Sequence, residues 1–191
     1  GLYRLKTEWI DQIPQPFGPS FGTPVRFMLT AEISSIYSKD GQVRKVHNLL
    51  MAPDFNTAHK IQQKLEQIGN IRSDGRPILG LDSRNLLEIA LKASDDIFFV
   101  PAHIWTPWFS ALGAKSGFDR ITDCYDDLSN HIHAVETGLS SDPVMNRLCS
   151  FLDAYTLISN SDAHSPEKLG REANLFDTEL SYPAIIQAMK K

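Results

Sequence analysis

Six residues of this 191-residue sequence could do acid–base or metal chemistry, and each lies in or directly after an apolar segment. They are Glu32, His47, His103, Glu136, Asp162 and His164. Imidazoles and carboxylates without cysteine suit Zn²⁺, Mn²⁺ or Fe²⁺. One histidine at a strand end is more often a hydrogen-bonded structural residue. The prediction of a metal site therefore depends on the coincidence of several such positions.

The segment TLISNSDAH, residues 156–164, is predicted as a buried strand that ends on Asp162 and His164. Side chains on an extended strand repeat every two residues, so both would be directed the same way if the strand continued through them. Two such polar groups on one face are costly to bury without a partner. On local chemistry alone, the pair is equally consistent with a metal site and with a solvated loop.

The remaining histidines are predicted to have no catalytic role. His131 and His133 stand at the start of a predicted strand, at the opposite end from the other candidates, and are interpreted as structural or solvated. His59 lies on a polar helix face and is expected at the surface.

An alternation of short apolar strands and helices would position the candidate residues. The predicted strands cover residues 25–38, 43–52, 96–103, 131–138, 156–164 and 172–177. The predicted helices cover residues 54–68, 83–94, 119–128, 140–152 and 182–191. The turn Lys39-Asp40-Gly41 would join the first two strands as a hairpin, and Asp82 or Ser83 and Asp142, the latter followed by Pro143, are expected helix N-caps.

This order of elements predicts a single α/β domain over residues 1–191 with a mostly parallel sheet. Periodicity leaves an open sheet and a barrel equally open. In either architecture the carboxyl ends of parallel strands face one side, and functional sites are built there. The candidate residues on five strands are therefore expected to meet at one mouth.

Composition excludes some classes of protein. The chain is 42% hydrophobic and 22% charged, and it contains no apolar run of about 18 residues, which a membrane span would need. Cys124 and Cys149 form no metal or redox motif, so we expect them to be reduced and the protein to be cytoplasmic. The net charge of −4 provides no global basic field, and nucleic-acid binding would need local basic patches. The sequence does not determine the oligomeric state.

Three motifs carry a resemblance to a known family. FVPAH, AVETGLSSDP and ISNSDAHSPEKLGREAN resemble the polymerase-and-histidinol-phosphatase (PHP) domain, and within it the endonuclease Q branch of DNA-repair nucleases. The resemblance runs from Phe27 to about Phe176. It implies a distorted (β/α)7 TIM-like barrel with two or three divalent ions, zinc, manganese, iron or magnesium, at the strand ends.

The resemblance also implies roles for individual residues. The metal ligands would be Glu32, His47, His103, Asp162 and His164. Asp162, His103 and Glu136 would be catalytic, with Glu136 either supporting a ligand or facing the substrate.

One departure from the family pattern concerns its first strand. The family begins with a strand that ends in His-x-His, and no such strand precedes Glu32. Endonuclease Q also carries a cysteine-rich zinc module, which this sequence lacks. We expect truncation at both ends, which could leave this chain inactive alone; degeneration of the site is the alternative.

The function implied by the resemblance is that of a metal-dependent phosphodiesterase, a DNA-repair endonuclease that cuts 5′ of deaminated bases (uracil, hypoxanthine) or abasic sites. The alternatives are a phosphatase for a small phosphate monoester and a non-catalytic metal- or DNA-binding module. Damaged DNA is the expected partner, and the expected substrate-binding residues are Trp105, Trp108, Lys168 and Arg171. Further candidate phosphate contacts, of which only a few should touch DNA, are Arg44, Lys45, Arg72, Arg76, Lys115 and Arg120.

Overall fold

A computed structural model describes residues 28–73 and 75–190 of the protein. The predicted loop at 12–24 and the first three residues of the predicted first strand, 25–27, lie outside these residues. The described part is a mixed α/β structure with a four-stranded sheet and a two-stranded sheet. Within it, no helix has the length and apolar character needed to cross a membrane.

A long hairpin forms the centre of the larger sheet. Strands β1 (Leu29–Lys39) and β2 (Gln42–Ala52) pair antiparallel, with Leu29 opposite Ala52 and Lys39 opposite Gln42. The connecting residues Asp40 and Gly41 have φ angles of 54° and 72°. Positive φ at both central residues is typical of the type I′ turn that Asp-Gly favours. The predicted hairpin is confirmed.

Two short strands complete the larger sheet in the order β3-β1-β2-β4. Strand β3 (Ile78–Leu79) runs parallel to β1, whereas β4 (Phe98–Pro101) runs antiparallel to β2. The expectation of a mostly parallel arrangement is wrong for this sheet, because a two-residue hairpin connection forces its strands to be antiparallel.

The smaller sheet continues from the edge of the larger one. Its strands β5 (Ala134–Glu136) and β6 (Thr156–Ile158) pair in parallel. The N–H of Ile104, just after β4, donates to the carbonyl of Glu136 at 2.9 Å and joins the two sheets. The strands of the described residues do not close into a barrel.

Aspartate side chains cap three of the helices, as the sequence predicts. Helix α1 (Phe55–Glu66) begins after Asp54, which accepts from the N–H of Thr57, and α2 (Ser83–Ala93) begins after Asp82. Helices α3 (Ile121–Tyr125), α4 (Pro143–Arg147) and α5 (Tyr182–Met189) follow. Asp142 caps α4, with proline in its first turn.

Several predicted elements are shorter than expected. The helix predicted over 119–128 is α3 followed by a 3₁₀ turn (Asp126–His131), because Asp126 has φ 49°, which an α-helix excludes. Likewise the helix predicted over 140–152 is α4 plus 3₁₀ turns at Gly138–Ser140 and Ser150–Leu152. A last 3₁₀ turn spans Pro166–Lys168.

Two strand predictions near the carboxyl end are corrected. Strand β6 stops at Ile158, so the extended backbone does not continue to Asp162, whose φ is 44°. Residues 172–177 form no strand. There the side chain of Asn174 accepts from the N–H of Ser159 at 2.8 Å and donates to its carbonyl at 2.9 Å. A side-chain amide thus makes the contacts that a backbone ladder would otherwise make.

Apolar side chains cover both faces of the sheets. Phe99 of β4 belongs to the core under α1 and α2, whereas Phe98 and Val100 belong to a second cluster with Ile186 and Met189 of α5. This double burial confirms the prediction for DIFFVPAH, since a strand covered on both faces has a continuous apolar sequence.

Candidate metal centre

Glu32, His47 and His103 bring three ligand atoms together at the end of the hairpin. Nδ1 of His47 lies 2.7 Å from Oε1 of Glu32 and 3.0 Å from Nε2 of His103, and this Nε2 lies 3.5 Å from the same Oε1. Ligands of one tetrahedral Zn²⁺, bound at about 2.0–2.1 Å, lie about 3.3 Å apart. The three atoms thus have the spacing of ligands to one small ion.

Strand pairing explains how residues so far apart in sequence meet. Glu32 of β1 is directly opposite Leu49, so His47 is its diagonal neighbour on the same face of the hairpin. His103 follows β4 and is fixed beside β2, because the N–H of Ala102 donates to the carbonyl of His47 at 3.0 Å. The antiparallel sheet therefore brings together three of the residues that were expected to meet at the ends of parallel strands.

The charges of the cluster favour a cation. Burial alone would raise the pKa of Glu32, but hydrogen bonds from His103 and His47 hold it far below its usual range. Burial lowers the pKa of His47, against the opposing effect of Glu32. Two imidazole nitrogens and an ionised carboxylate form a donor set suited to Zn²⁺, Mn²⁺ or Fe²⁺.

Thr106 fixes the tautomer of His103. Its hydroxyl donates to the carbonyl of Trp108 at 2.8 Å, so its oxygen is left to accept from Nδ1 of His103 at 3.0 Å. A proton on Nδ1 leaves the lone pair on Nε2, which faces the cluster. A hydrogen bond on the distal ring nitrogen is the usual support for a metal-binding histidine.

Phe109 contacts both the backbone and the ring of His47. Its carbonyl accepts the N–H of His47 at 3.0 Å, and the two rings pack with centroids 4.7 Å apart. The φ of Phe109 is 61°, which is rare for a bulky residue. Such backbone strain concentrates at functional sites, where surrounding contacts enforce it.

Glu136 accepts a hydrogen bond from the backbone of His103 and is not part of the ligand cluster. One carboxylate oxygen accepts the backbone N–H of His103 at 2.8 Å, and the other accepts from the side chain of Asn160 at 2.8 Å. Burial raises the pKa of Glu136, although the hydrogen bond from Asn160 opposes the shift. The role of Glu136 in the structure is to fix the backbone around His103, whose φ is 29°.

Asp162 and His164 lie outside the three-residue cluster. The Asp162 carboxylate is near enough to contribute to raising the pKa of His103, where burial acts to lower it and Glu32 is the larger favourable charge. Nδ1 of His164 lies 2.9 Å from the Asp162 carbonyl, and 72% of its side chain is exposed. The expected alignment of the pair is absent, because β6 ends before Asp162 and the backbone turns there.

Comparison with known proteins finds a structural similarity to an endonuclease. The structure is similar to the crystal structure of the lesion-specific endonuclease PfuEndoQ from Pyrococcus furiosus, with a TM-score of 0.70 and 32% sequence identity. The similarity covers 84% of this chain and 38% of that one. The chain therefore corresponds to less than two fifths of that endonuclease chain.

Two curated proteins are also similar in sequence. Uncharacterized protein YqxK of Bacillus subtilis (strain 168) is 36% identical over 115 residues, which are 58% of this chain and 29% of YqxK. Uncharacterized protein MJ0043 of Methanocaldococcus jannaschii is 36% identical over 96 residues, which are 47% of this chain and 12% of MJ0043. No family model matches the sequence. The chain spans less than a third of these two relatives.

The predicted substrate-binding residues differ in accessibility. Nε1 of Trp105 donates to Asn146 at 2.8 Å, and its ring packs against the core, which indicates a structural role. Trp108 is 50% exposed. Arg171 donates to the carbonyls of Ser161 and Asp162 at 2.7 and 3.3 Å and so braces their loop. Lys168 is exposed on its 3₁₀ turn.

Among the other predicted phosphate contacts, Arg44, Arg72 and Arg76 have polar contacts with oxygen atoms of the protein. Arg44 is buried, donates to the Gly117 carbonyl and lies over the ring of Phe118. Arg72 pairs with Glu66 at 2.8 Å. Arg76 lies 3.4 Å from Oε1 of Glu32, so it is the predicted phosphate contact that touches the metal cluster.

Sequence reasoning did not identify four supporting residues, namely Thr106, Gly138, Asn160 and Asn174. Gly138 has φ 62°, and a Cβ built there would lie 2.5 Å from the Cβ of His103. The only signal for it is a glycine two residues after a candidate carboxylate. The amide contacts of Asn160 and Asn174 give no sequence signal, because they depend on chain segments that meet in three dimensions.

Proposed function

We propose that the protein is a metal-dependent phosphodiesterase, and that it acts as a DNA-repair endonuclease cutting 5′ of deaminated bases or abasic sites. The observation that carries this proposal is the cluster of Glu32, His47 and His103, whose ligand atoms all lie within 4.8 Å of one another. The similarity to a lesion-specific endonuclease supports DNA as the substrate.

Glu32, His47 and His103 would hold one divalent ion, which lowers the pKa of bound water so that hydroxide is available near neutral pH. Neighbouring residues hold His103 in position through hydrogen bonds. The oxygen of Thr106 accepts from Nδ1 of His103, which in the neutral ring leaves Nε2 free to bind a metal, and Glu136 fixes the backbone of the same histidine.

A second or third ion would use Asp162 and His164, in line with the resemblance to the PHP family. This part of the proposal requires the loop at 159–164 to present both side chains to the cluster. The carboxylate of Asp162 contributes to raising the pKa of His103, which supports Asp162, rather than His164, as the residue nearer to the cluster. The (β/α)7 barrel remains part of the proposal, since it would need strands outside the described residues.

Selectivity for damage has a simple physical source. A deaminated or abasic nucleotide is less well stacked and paired, so moving it out of a duplex costs less than moving a normal base.

A cytoplasmic location is also proposed, because Cys124 and Cys149 are both unpaired thiols.

The test is cleavage of duplexes that contain uracil, hypoxanthine or an abasic site, beside an undamaged duplex of the same sequence. Each assay is run with Mn²⁺, Zn²⁺ or Mg²⁺ and with EDTA. We expect metal-dependent cuts 5′ of the lesion, lost in Asp162→Asn. Equal cleavage by Asp162→Asn would exclude its catalytic assignment.

The same preparation separates the alternatives. Hydrolysis of a panel of phosphate monoesters without cleavage of DNA would favour the phosphatase. Binding of metal with neither hydrolysis would favour a binding module. That second candidate has one specific observation in its favour, which is that the described cluster contains three ligands and not the five expected.

A further inference from the structure

Beside the metal centre lies a cation packed on two aromatic rings. Nζ of Lys45 lies 4.9 Å from the ring centroid of Trp108 and 5.4 Å from that of Phe109. Both distances are within the range of cation–π attraction. We call Lys45, Trp108 and Phe109 the stacking platform.

The stacking platform and the metal centre share one face of β2. Side chains alternate along a strand, so Lys45 and His47, two residues apart, are on the same side. Phe109 touches both, since its ring packs on the imidazole of His47 and lies under the ammonium of Lys45. The platform thus directly adjoins a metal ligand.

Backbone hydrogen bonds hold the aromatic loop against β2. The N–H of Lys45 donates to the carbonyl of Ser116 at 3.3 Å, and the Ser116 hydroxyl donates to the carbonyl of Lys45 at 3.2 Å. The N–H of Phe109 donates to the same hydroxyl oxygen at 3.2 Å. Thr106 holds the carbonyl of Trp108 and also contacts the ring of His103. The backbone at Trp108 is therefore held by the residue that also contacts a candidate metal ligand.

The rings of Trp108 and Phe109 differ in their exposure to solvent. Phe109 is half-buried against His47, whereas Trp108 is 50% exposed. Lys45 lies over the indole, and the exposed part of the ring leaves apolar surface for another flat group. A half-exposed indole beside a cation suits single-stranded nucleic acid, since a base stacks on the ring and the charge meets the phosphate.

We propose that the stacking platform binds the nucleotide next to the phosphodiester at the metal centre, with its base on Trp108 and its phosphate on Lys45. The position beside the reacting phosphate rests on the proposed function, but the binding itself does not. Because the protein has a net charge of −4, a stacked base adds attraction that its overall charge does not provide.

The experiment compares two fluorescein-labelled strands of about 12 nucleotides, a length within the site sizes of single-strand binding proteins. One is oligothymidylate, and the other has the same number of phosphates but abasic tetrahydrofuran sugars. Binding to the whole chain is measured by fluorescence anisotropy in EDTA. We expect the wild type to prefer oligothymidylate by about fivefold or more, since stacking on one ring is a substantial part of such affinities.

Four variants test which residues cause the preference for oligothymidylate. Trp108→Ala should lower oligothymidylate affinity to the abasic level without changing abasic binding, whereas Trp108→Phe should keep a preference. Lys45→Gln should weaken both strands alike and reduce the salt dependence by about one phosphate contact. Lys60→Gln removes the same charge from the exposed face of α1 and is the control, for which neither affinity should change.

Equal wild-type affinity for the two strands, or an unchanged preference in Trp108→Ala, would overturn the stacking platform. Lack of cleavage with Trp108-dependent binding would instead retain the platform and reject the endonuclease.

Discussion

Nε2 of His103 lies 3.0 Å from Nδ1 of His47. The hydroxyl oxygen of Thr106 accepts a hydrogen bond from Nδ1 of His103, so in the neutral ring the nitrogen that faces His47 carries a lone pair. Two such nitrogens beside the Glu32 carboxylate can share one proton or bind one cation. Nε2 of His47 is buried without a hydrogen-bond partner, so the polar interactions of this ring are concentrated on the cluster side.

Metal binding should stabilise the fold through this cluster. A ligand that binds only the native state at 100 times its dissociation constant adds about 2.7 kcal/mol to the free energy of unfolding. We expect Zn²⁺ or Mn²⁺ to raise the melting temperature and EDTA to reverse the shift, as measured by differential scanning fluorimetry. Glu32→Gln should remove most of the shift.

The matched control for that experiment is Glu66→Gln. Glu66 pairs with Arg72 on the surface and belongs to no metal cluster. Its variant should keep the full metal-induced shift. A shift of equal size in Glu32→Gln and in the wild type would exclude Glu32 as a ligand.

Thr106→Val should weaken metal binding by about 10–100-fold, the usual effect of losing the support of a metal-bound histidine. The valine has nearly the same shape but cannot accept the hydrogen bond from Nδ1 of His103. Competition with a chromophoric chelator measures the affinity, and Thr106→Ser should restore it. If the valine and serine variants bind metal equally well, Thr106 does not set the tautomer.

Gly138→Ala should destabilise the protein by more than its backbone angle alone explains. A residue with a side chain at positive φ costs about 1–2 kcal/mol. Here the added Cβ would also lie 2.5 Å from the Cβ of His103. We expect a loss of more than about 2 kcal/mol in the free energy of unfolding, from urea denaturation, together with weakened metal binding.

Gly41→Ala separates the cost of positive φ from the cost of the close contact with His103. Gly41 also has positive φ, 72°, but nothing lies within 4 Å of its added Cβ. It should lose only the conformational part and keep its metal affinity. Equal losses in the two variants would mean that close approach to His103 has no energetic importance.

The two thiols should differ in reactivity. Burial raises the pKa of Cys124 to about 12. Because the thiolate is the reactive form and Cys124 is buried, it should stay unmodified by Ellman's reagent at pH 8. Cys149 is half-buried and should react first. One thiol per chain is expected in buffer and two in denaturant; rapid reaction of both in buffer would contradict the burial of Cys124.

Local chemistry made part of the structure predictable. The Asp-Gly pair at 40–41 determines the hairpin, and Asp54, Asp82 and Asp142 cap helices by contacts within a few residues. Glu32, His47 and His103 were predicted as ligands because each polar side chain interrupts or ends an apolar strand. The structure brings these three together.

Long-range contacts account for what the sequence did not predict. The strand expected at 172–177 is replaced by amide contacts between Asn174 and Ser159, and the turn at Asp162 depends on a positive φ that an aspartate rarely adopts. The antiparallel sheet was implied by the predicted hairpin, but the alternation of later strands and helices favoured a parallel one. The roles assigned to Asp162 and His164 remain predictions.

Asn174 contacts both Ser159 and Asn160, and it does so through one side chain. A single substitution there could therefore shift the loop that carries Asp162 while leaving β5 and β6 paired. Strand pairing and backbone hydrogen bonds fix Glu32, His47 and His103, whereas the side chains of Asn174 and Arg171 hold the loop that carries Asp162. The position of Asp162 is therefore more open to change by substitution than the positions of the three clustered residues.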